Sequence, residues 1–405
     1  MKILCVHNYY GSQSPSGENT VFDSEVQLLR EHGHEVIEYT RHSDDIRQQG
    51  GFGTLKGGFS VPWNPFSLRH VRWLIKKEQP DVMHVHNTFP LISPSVFYAA
   101  NGTKTATVLT LHNYRLLCAN ALLLRNDKPC TRCLDQKSVA SALKYGCYRD
   151  SRLATMPLAA STVLHRKLKT WQKQVDAFIS LTEFQRSMML KAGLPSEAIY
   201  VKPHFYPDPP VPVERSFREN KAIFIGRLGP EKGVRFLLDA WEMWGSEAPH
   251  LEIIGSGLEE AQLQQRSVAL GLNNKISFLG QMSFQQTQSR LQRAKMLLLP
   301  SLCFEGFPMV IREAFALGVP VVASRLGAMA CLIEEQKNGF LFETGNAPDL
   351  LNVLKNAWMD QDNLAKMGEV ARATFENQYT ANTNYNRLMD IYRAASSSRR
   401  HYEKH

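Results

Sequence analysis

Short apolar runs rich in Val, Ile and Leu alternate with helix-period segments along almost the whole chain. No other feature constrains the fold as much. A repeating strand–helix–strand pattern puts helices on both faces of a parallel sheet, so the expected class is α/β. Six strand candidates fall in the first half: Lys2–His7, Glu35–Tyr39, Val82–His86, Thr105–Leu111, Ala177–Leu181 and Ala198–Val201. A second series comprises Ala222–Ile225, His250–Ile254, Ile276–Leu279, Met296–Pro300, Val319–Ala323 and Phe340–Phe342. Helical periodicity lies between them, as in Val21–His32 and Ser67–Glu78. The stretch Tyr206–Val213 carries four prolines in eight residues and cannot donate a full ladder, so it reads as a linker. The 405 residues also exceed the roughly 250–300 that one core supports. Two doubly wound domains are therefore expected, 1–205 and 214–381, with the linker at 206–213. Ligands of such sheets bind beyond the carboxyl ends of the strands, so the cleft between the domains is the expected site.

Charge is unevenly shared. Residues 1–205 hold 25 Lys+Arg and 16 Asp+Glu, or +9, whereas 206–405 hold 22 of each. Residues 1–50 carry 4 and 8, so 51–205 carry +13. A basic half suggests an anionic partner: nucleic acid, a phosphorylated substrate or acidic lipid. The longest uncharged stretch, Val82–Thr103, contains two His, two Asn and two Pro and cannot face lipid as a helix. The first apolar run ends at Val6, too short for a secretory signal. The expected location is the cytoplasm, with thiols rather than disulfides for the seven Cys.

Four stretches carry candidate chemistry. In Cys303–Ala316, CFEGFPMVIREAFA, Glu305 and Glu313 stand eight apart. Gly306, Phe307 and Pro308 make a turn, and a helix follows. Amides at its start can hold phosphate or sugar oxygens. The carboxylates can accept from hydroxyls, although spacing alone leaves an ordinary helix start equally open. In Gly226–Gly233, GRLGPEKG, Arg227 and Lys232 sit where a strand gives way to a loop, a placement suited to clamping a diphosphate. Gly255–Leu258, GSGL, follows another strand and is in itself no more than a tight turn. Gly318–Gly327, GVPVVASRLG, is a buried strand with a small-residue turn.

In order, GRLGPEKG, IIGSG, FLGQM, LLLPSLCFEGFPMVIREAFALGVPVVAS and NGFLF resemble the donor-binding half of family 4 glycosyltransferases, over about 120 residues. The first half agrees more loosely. The resemblance implies the GT-B fold, two Rossmann-like domains facing each other across a cleft, with a helix over about 382–396 packing back on the first domain. It implies transfer of a sugar from a UDP- or GDP-sugar to a glycan or lipid-linked glycan, with retention, in cell-surface polysaccharide synthesis. By position, Arg227 and Lys232 match the pair that neutralises the diphosphate. Gly226 and Gly255 fall in the donor loops. Glu305, and the backbone of Gly306, Phe307 and Pro308, match the sugar contacts. Met309 and Val310 match the phosphate-binding amides, Glu313 the ribose ligand and Met282 the base contact. Pro308 departs from the usual Gly or Ser and removes an amide. Gly17, in Ser16-Gly17-Glu18-Asn19, matches the family's glycine loop, which usually has two glycines. His112, ending TATVLTL, matches the active-site histidine. His84 and His86 alternate at another strand end and so share a face. His86 and Asn87 are the acceptor-side candidates.

Cys118, Cys130, Cys133 and Cys147 form C-x11-C-x2-C-x13-C, which permits a structural zinc or four separate thiols. Catalysis itself is expected to need no cofactor. Asp360-Gln361-Asp362 is a DxD, a metal motif in another glycosyltransferase fold, but a helical pattern follows and a helix cap explains it better. Leu164, Leu168, Trp171 and Val175 read as one helix stripe, with Arg166, Lys167, Lys169 and Lys173 elsewhere around it. With the aromatic loops around Phe52–Trp63 and Trp73, this half can lie on an anionic inner-membrane face. The rivals are a GT-B epimerase or phosphorylase, and a basic nucleic-acid binder. The phosphorylase needs a phosphate subsite or pyridoxal lysine that is not evident, and the last lacks a recognition or stacking motif. Nucleic acid is accordingly not expected as a partner.

Overall fold

A computed structural model describes residues 1–11, 16–48 and 57–402. Its two compact units are Met1–Leu123 with Thr131–His204 and Asn384–His405, and Leu124–Cys130 with Phe205–Thr383.

The first unit is built on a six-stranded parallel sheet. Its strands are β1 (Lys2–Tyr9), β2 (Glu35–His42), β3 (Val82–Asn87), β4 (Ala106–Thr110), β7 (Ala177–Ser180) and β8 (Ile199–Val201), in the order β2-β1-β3-β4-β7-β8. Strand order reverses between β1 and β3. The helix Gly17–Glu31 begins earlier than its apolar periodicity, because the Ser16 hydroxyl accepts the Glu18 amide at 3.2 Å and caps it. Gly17 is thus the first helical residue. The last helix, Ala381–Tyr402, sends Leu388, Ile391, Tyr392 and Ala395 into the core around Ile3, Cys5 and Phe22.

The second unit repeats the architecture with β9 (Lys221–Ile225), β10 (His250–Ile254), β11 (Ile276–Gly280), β12 (Met296–Leu299), β13 (Val321–Ser324) and β14 (Gly339–Phe342). The order β11-β10-β9-β12-β13-β14 is that of a dinucleotide-binding sheet, reversing between β9 and β12. Strands such as MLLL (β12) and VVAS (β13) are buried throughout, as a sheet covered on both faces requires. The short hairpin β5 (Leu124–Arg125) and β6 (Lys128–Pro129) groups with this unit, where Asp127 takes the Arg235 guanidinium at 3.0 Å. Tyr206, at the start of the proline stretch, donates its amide to Tyr379 O at 2.9 Å.

Among the described residues, all twelve parallel strands lie on the expected runs, with ends displaced by at most three residues. The expected stripe Leu164–Leu168–Trp171–Val175 does not form one helix. The helix Arg152–Lys167 stops, Lys169 turns left-handed at φ 53°, and a short helix, Thr170–Lys173, begins on a new axis. Leu168 is left exposed while Val175 is buried ahead of β7. The Asp360 side chain accepts the Asn363 amide at 2.9 Å and caps Gln361–Gln378, with Asp362 in its first turn. Phe52 lies outside the described residues.

Candidate functional site

In the second unit the strand reversal assembles the site. The chain leaves β9 into Gly226–Gly233 and leaves the adjacent β12 into Pro300–Pro308. Two segments far apart in sequence therefore meet at one sheet edge. Lys232 Nζ lies 2.6 Å from Glu305 Oε1, which also accepts from Ser301 Oγ at 2.9 Å. Burial alone would raise the Glu305 carboxyl, but Lys232, Ser301 and Arg227 outweigh it and hold it low. The same pairing overcomes burial at Lys232 and raises its ammonium. At neutral pH the two form an ion pair. Arg227 is 66% exposed and bonds Glu231 Oε1 at 2.6 Å, so its guanidinium is reachable by a ligand.

The glycines of GSGL are required by close approach. A Cβ on Gly255, at φ +134°, would stand 1.9 Å from Gly226 O, and one on Gly257 would stand 2.3 Å from Leu228 O. The two loops are laced by Gly226 N to Ile254 O at 3.0 Å and Leu228 N to Ser256 O at 2.9 Å. Past β12, Pro308 is the N-cap of the helix Met309–Ala316. The amides of Met309 and Val310 precede its first intrahelical bond, Ile311 N to Pro308 O at 3.0 Å. Phe307 is buried edge-on to Tyr379, so its ring anchors the turn that carries Gly306. Glu313 is buried on the helix, accepts from Gln288 Nε2 at 3.0 Å, and has its carboxyl raised by burial. Met282 is half-buried, ahead of a helix capped reciprocally by Ser283 and Gln286. Arg312 is a buried guanidinium 5.7 Å from the Tyr206 ring, and burial lowers it to about 10.

In the first unit, β3 and β4 lie side by side and bring His86, Asn87 and His112 together. His86 Nδ1 and His112 Nε2 are 3.1 Å apart. Burial, then His204, His86 and His7, hold the His112 imidazole far below its ordinary value, so it is neutral. Asn87 donates to Asn8 O at 2.8 Å and accepts the Phe89 amide at 3.0 Å, so its side chain secures the strand ends. His86, His112, Asn113, Arg115, Phe89 and Trp171 line part of a cavity of about 80 Å³. The Arg115 guanidinium lies 4.1 Å from the Phe89 ring centre, and Asn113 donates to Glu18 at 2.8 Å.

Sequence reasoning missed Glu25 and Lys202. Lys202 Nζ is 2.6 Å from Glu25 Oε2, and both side chains are almost wholly buried. The other oxygen lies 3.3 Å from His84 Nδ1 and 3.4 Å from His86 Nε2. Burial would raise this carboxyl, but Lys202 and the two imidazoles outweigh it and hold it well below the carboxylate range. The available signal was a carboxylate within the apolar stripe Val21, Phe22, Val26, Leu28 and Leu29.

Glu25, His84 and His86 are, among the described residues, the one acid/His/Cys group gathered tightly enough to hold a metal ion. The group does not suit one. Lys202 already supplies the positive charge, and the His84 nitrogens lie 2.8 Å from Tyr392 OH and Thr110 Oγ1. In the four-cysteine region, Cys118 Sγ donates to Asn120 at 2.9 Å, and Cys133 and Cys147 pack against Val61, Ala119, Ala142 and Leu158.

Two Rossmann-like units, one carrying an Arg/Lys–Glu constellation at its strand reversal, define a GT-B type protein. Two family models match consecutive parts of the chain: Glycosyltransferase Family 4 over residues 15–207 and Glycosyl transferases group 1 over residues 213–374. The chain belongs to the family 4 glycosyltransferases. An uncharacterized glycosyltransferase of Haemophilus influenzae is 30% identical over 44% of this chain and 50% of its own length. A phosphatidyl-myo-inositol mannosyltransferase of Mycobacterium leprae is 29% identical over 58% and 64%. The chain thus spans half to two thirds of these two relatives. Among solved structures, Anabaena HepE in complex with UDP superposes with a TM-score of 0.65 at 19% identity, over 96% of this chain and 99% of that one. That likeness shows the fold. No described helix is long and apolar enough to cross a membrane.

Proposed function

We propose that this chain transfers a sugar, with retention, from a nucleotide-diphosphate donor to a glycan or lipid-linked glycan acceptor in cell-surface polysaccharide synthesis. The Lys232–Glu305 pair beside Arg227 is the observation that carries this reading. A diphosphate entering at this edge would meet two cations and the amides at the start of Met309–Ala316. Glu305 would be left to a sugar hydroxyl, and Glu313 to the ribose. The protein's contribution is to position the reactants and to stabilise charge on the leaving diphosphate. The cavity lined by His86 and His112 takes the acceptor in this reading. UDP in the Anabaena complex supports a nucleotide donor. No divalent metal enters the reaction. Zinc on Cys118, Cys130, Cys133 and Cys147 is a separate structural proposal; about one zinc per chain is its expected outcome, and none after mild purification removes it.

A thermal-shift screen against UDP- and GDP-sugars tests the donor site, because a ligand bound only by the folded state raises Tm. Arg227→Ala and Glu313→Ala should abolish the shift. Retained stabilisation in both refutes the site.

Peripheral attachment to the inner membrane face belongs to the same reading. Phe66 and Trp73 stand seven apart on the helix Pro65–Glu78 and are 71% and 53% exposed, with Arg69, Lys76 and Lys77 nearby. Exposed aromatics among cations suit an anionic bilayer. Salt-sensitive binding to anionic liposomes is expected, and indifference to lipid charge refutes it.

A further inference from the structure

The functional reading leaves Glu25 and Lys202 without a role. The pair sits among imidazoles at the strand reversal of the first unit, and its contacts dictate where protons lie. A carboxylate accepts and cannot donate. Its Oε1 faces His84 Nδ1 at 3.3 Å and His86 Nε2 at 3.4 Å. These are long for hydrogen bonds, so the contact is electrostatic: an oxygen anion favours a ring N–H over a ring lone pair. His86 Nε2 therefore carries its proton. Lys202, at 2.6 Å from the other oxygen, already balances the carboxylate. With the proton of His86 on Nε2, its Nδ1 is a lone pair.

That lone pair lies 3.1 Å from His112 Nε2, which must donate to it. The remaining nitrogen of neutral His112, Nδ1, is bare. It is buried, has no hydrogen-bond partner among the described residues, and belongs to a residue lining the cavity. We propose that Glu25, acting through His86, holds His112 as the Nε2–H tautomer, so that its Nδ1 accepts a hydrogen bond from a hydroxyl of a ligand in that cavity. The identity of that ligand rests on the proposed function; the tautomer does not. Glu25 is a positioning residue, comparable to the groups that orient a metal-binding or catalytic imidazole.

The test is ¹⁵N-histidine NMR of the full chain, with His112 assigned by comparison with His112→Gln. A pyrrole-like Nε2 and a pyridine-like Nδ1 are expected, and a proton on Nδ1 overturns the proposal. In Glu25→Leu/Lys202→Met, which removes both charges, His112 should show mixed tautomers. Its kcat should fall roughly 10–100-fold with the donor KM little changed. An unchanged tautomer there removes Glu25 from the relay. If that variant does not fold, His86→Phe, which keeps the ion pair, must release the His112 tautomer, and failure to do so is equally fatal. A correct tautomer in a protein that no nucleotide sugar stabilises or reacts with would instead overturn the proposed function.

Discussion

Replacing Gly255 by Ala tests how tightly the loops that follow β9 and β10 are built. The added Cβ would stand 1.9 Å from Gly226 O, over 1 Å inside normal contact, and that neighbour is backbone that cannot swing aside. The φ of +134° adds strain of about 1–3 kcal/mol for a residue with a side chain. Relieving the overlap by shifting backbone costs about 1–3 kcal/mol more. The sum centres near 4 kcal/mol, or roughly 8–16 °C in Tm for a unit of this size. Gly271→Ala in the same unit is the control: its φ is +69° but nothing lies within 4 Å of the added carbon. Left-handed strain alone costs it about 1 kcal/mol, or roughly 2–4 °C. Differential scanning calorimetry of both variants and the parent decides. Equal melting temperatures for the two variants would refute the claim that close backbone approach, rather than turn conformation, demands glycine at 255.

Further outcomes follow from the same geometry. Glu305→Gln should lower Tm at neutral pH, because the folded-state carboxyl is held low by Lys232. That stability is present above the ordinary carboxylate range and lost as pH falls through the depressed value, so the two melting curves should converge in acid. Asp360→Ala should cost about 1 kcal/mol in thermal unfolding, the usual loss of an N-cap, and leave transfer activity intact. Activity should persist in EDTA; loss restored by magnesium would contradict a metal-free reaction.

Much of the architecture was legible because a strand buried on both faces must be apolar along its length. That is why the described parallel strands stood out as short Val/Ile/Leu runs. The failures have physical causes. The stripe through Leu164 and Val175 satisfies helical periodicity, but Lys169 turns left-handed and splits it, and periodicity does not register one backbone angle. Gly255 looked like any tight turn, since the carbonyl that excludes a side chain belongs to Gly226, 29 positions earlier.

Composition and order alone established an α/β chain, its two strand–helix series and the motifs that resemble family 4 glycosyltransferases, because these are local properties of spacing and chemistry. Which distant groups touch was settled by strand adjacency. The β9–β12 neighbourhood joins Lys232 to Glu305, and the β3–β4 neighbourhood joins His86 to His112. Glu25 and Lys202 lie 177 positions apart, and only the packed first unit puts their charges 2.6 Å from one another. Proton placement on His112 depends on that pair, and such long-range electrostatics leave almost no trace in a linear sequence.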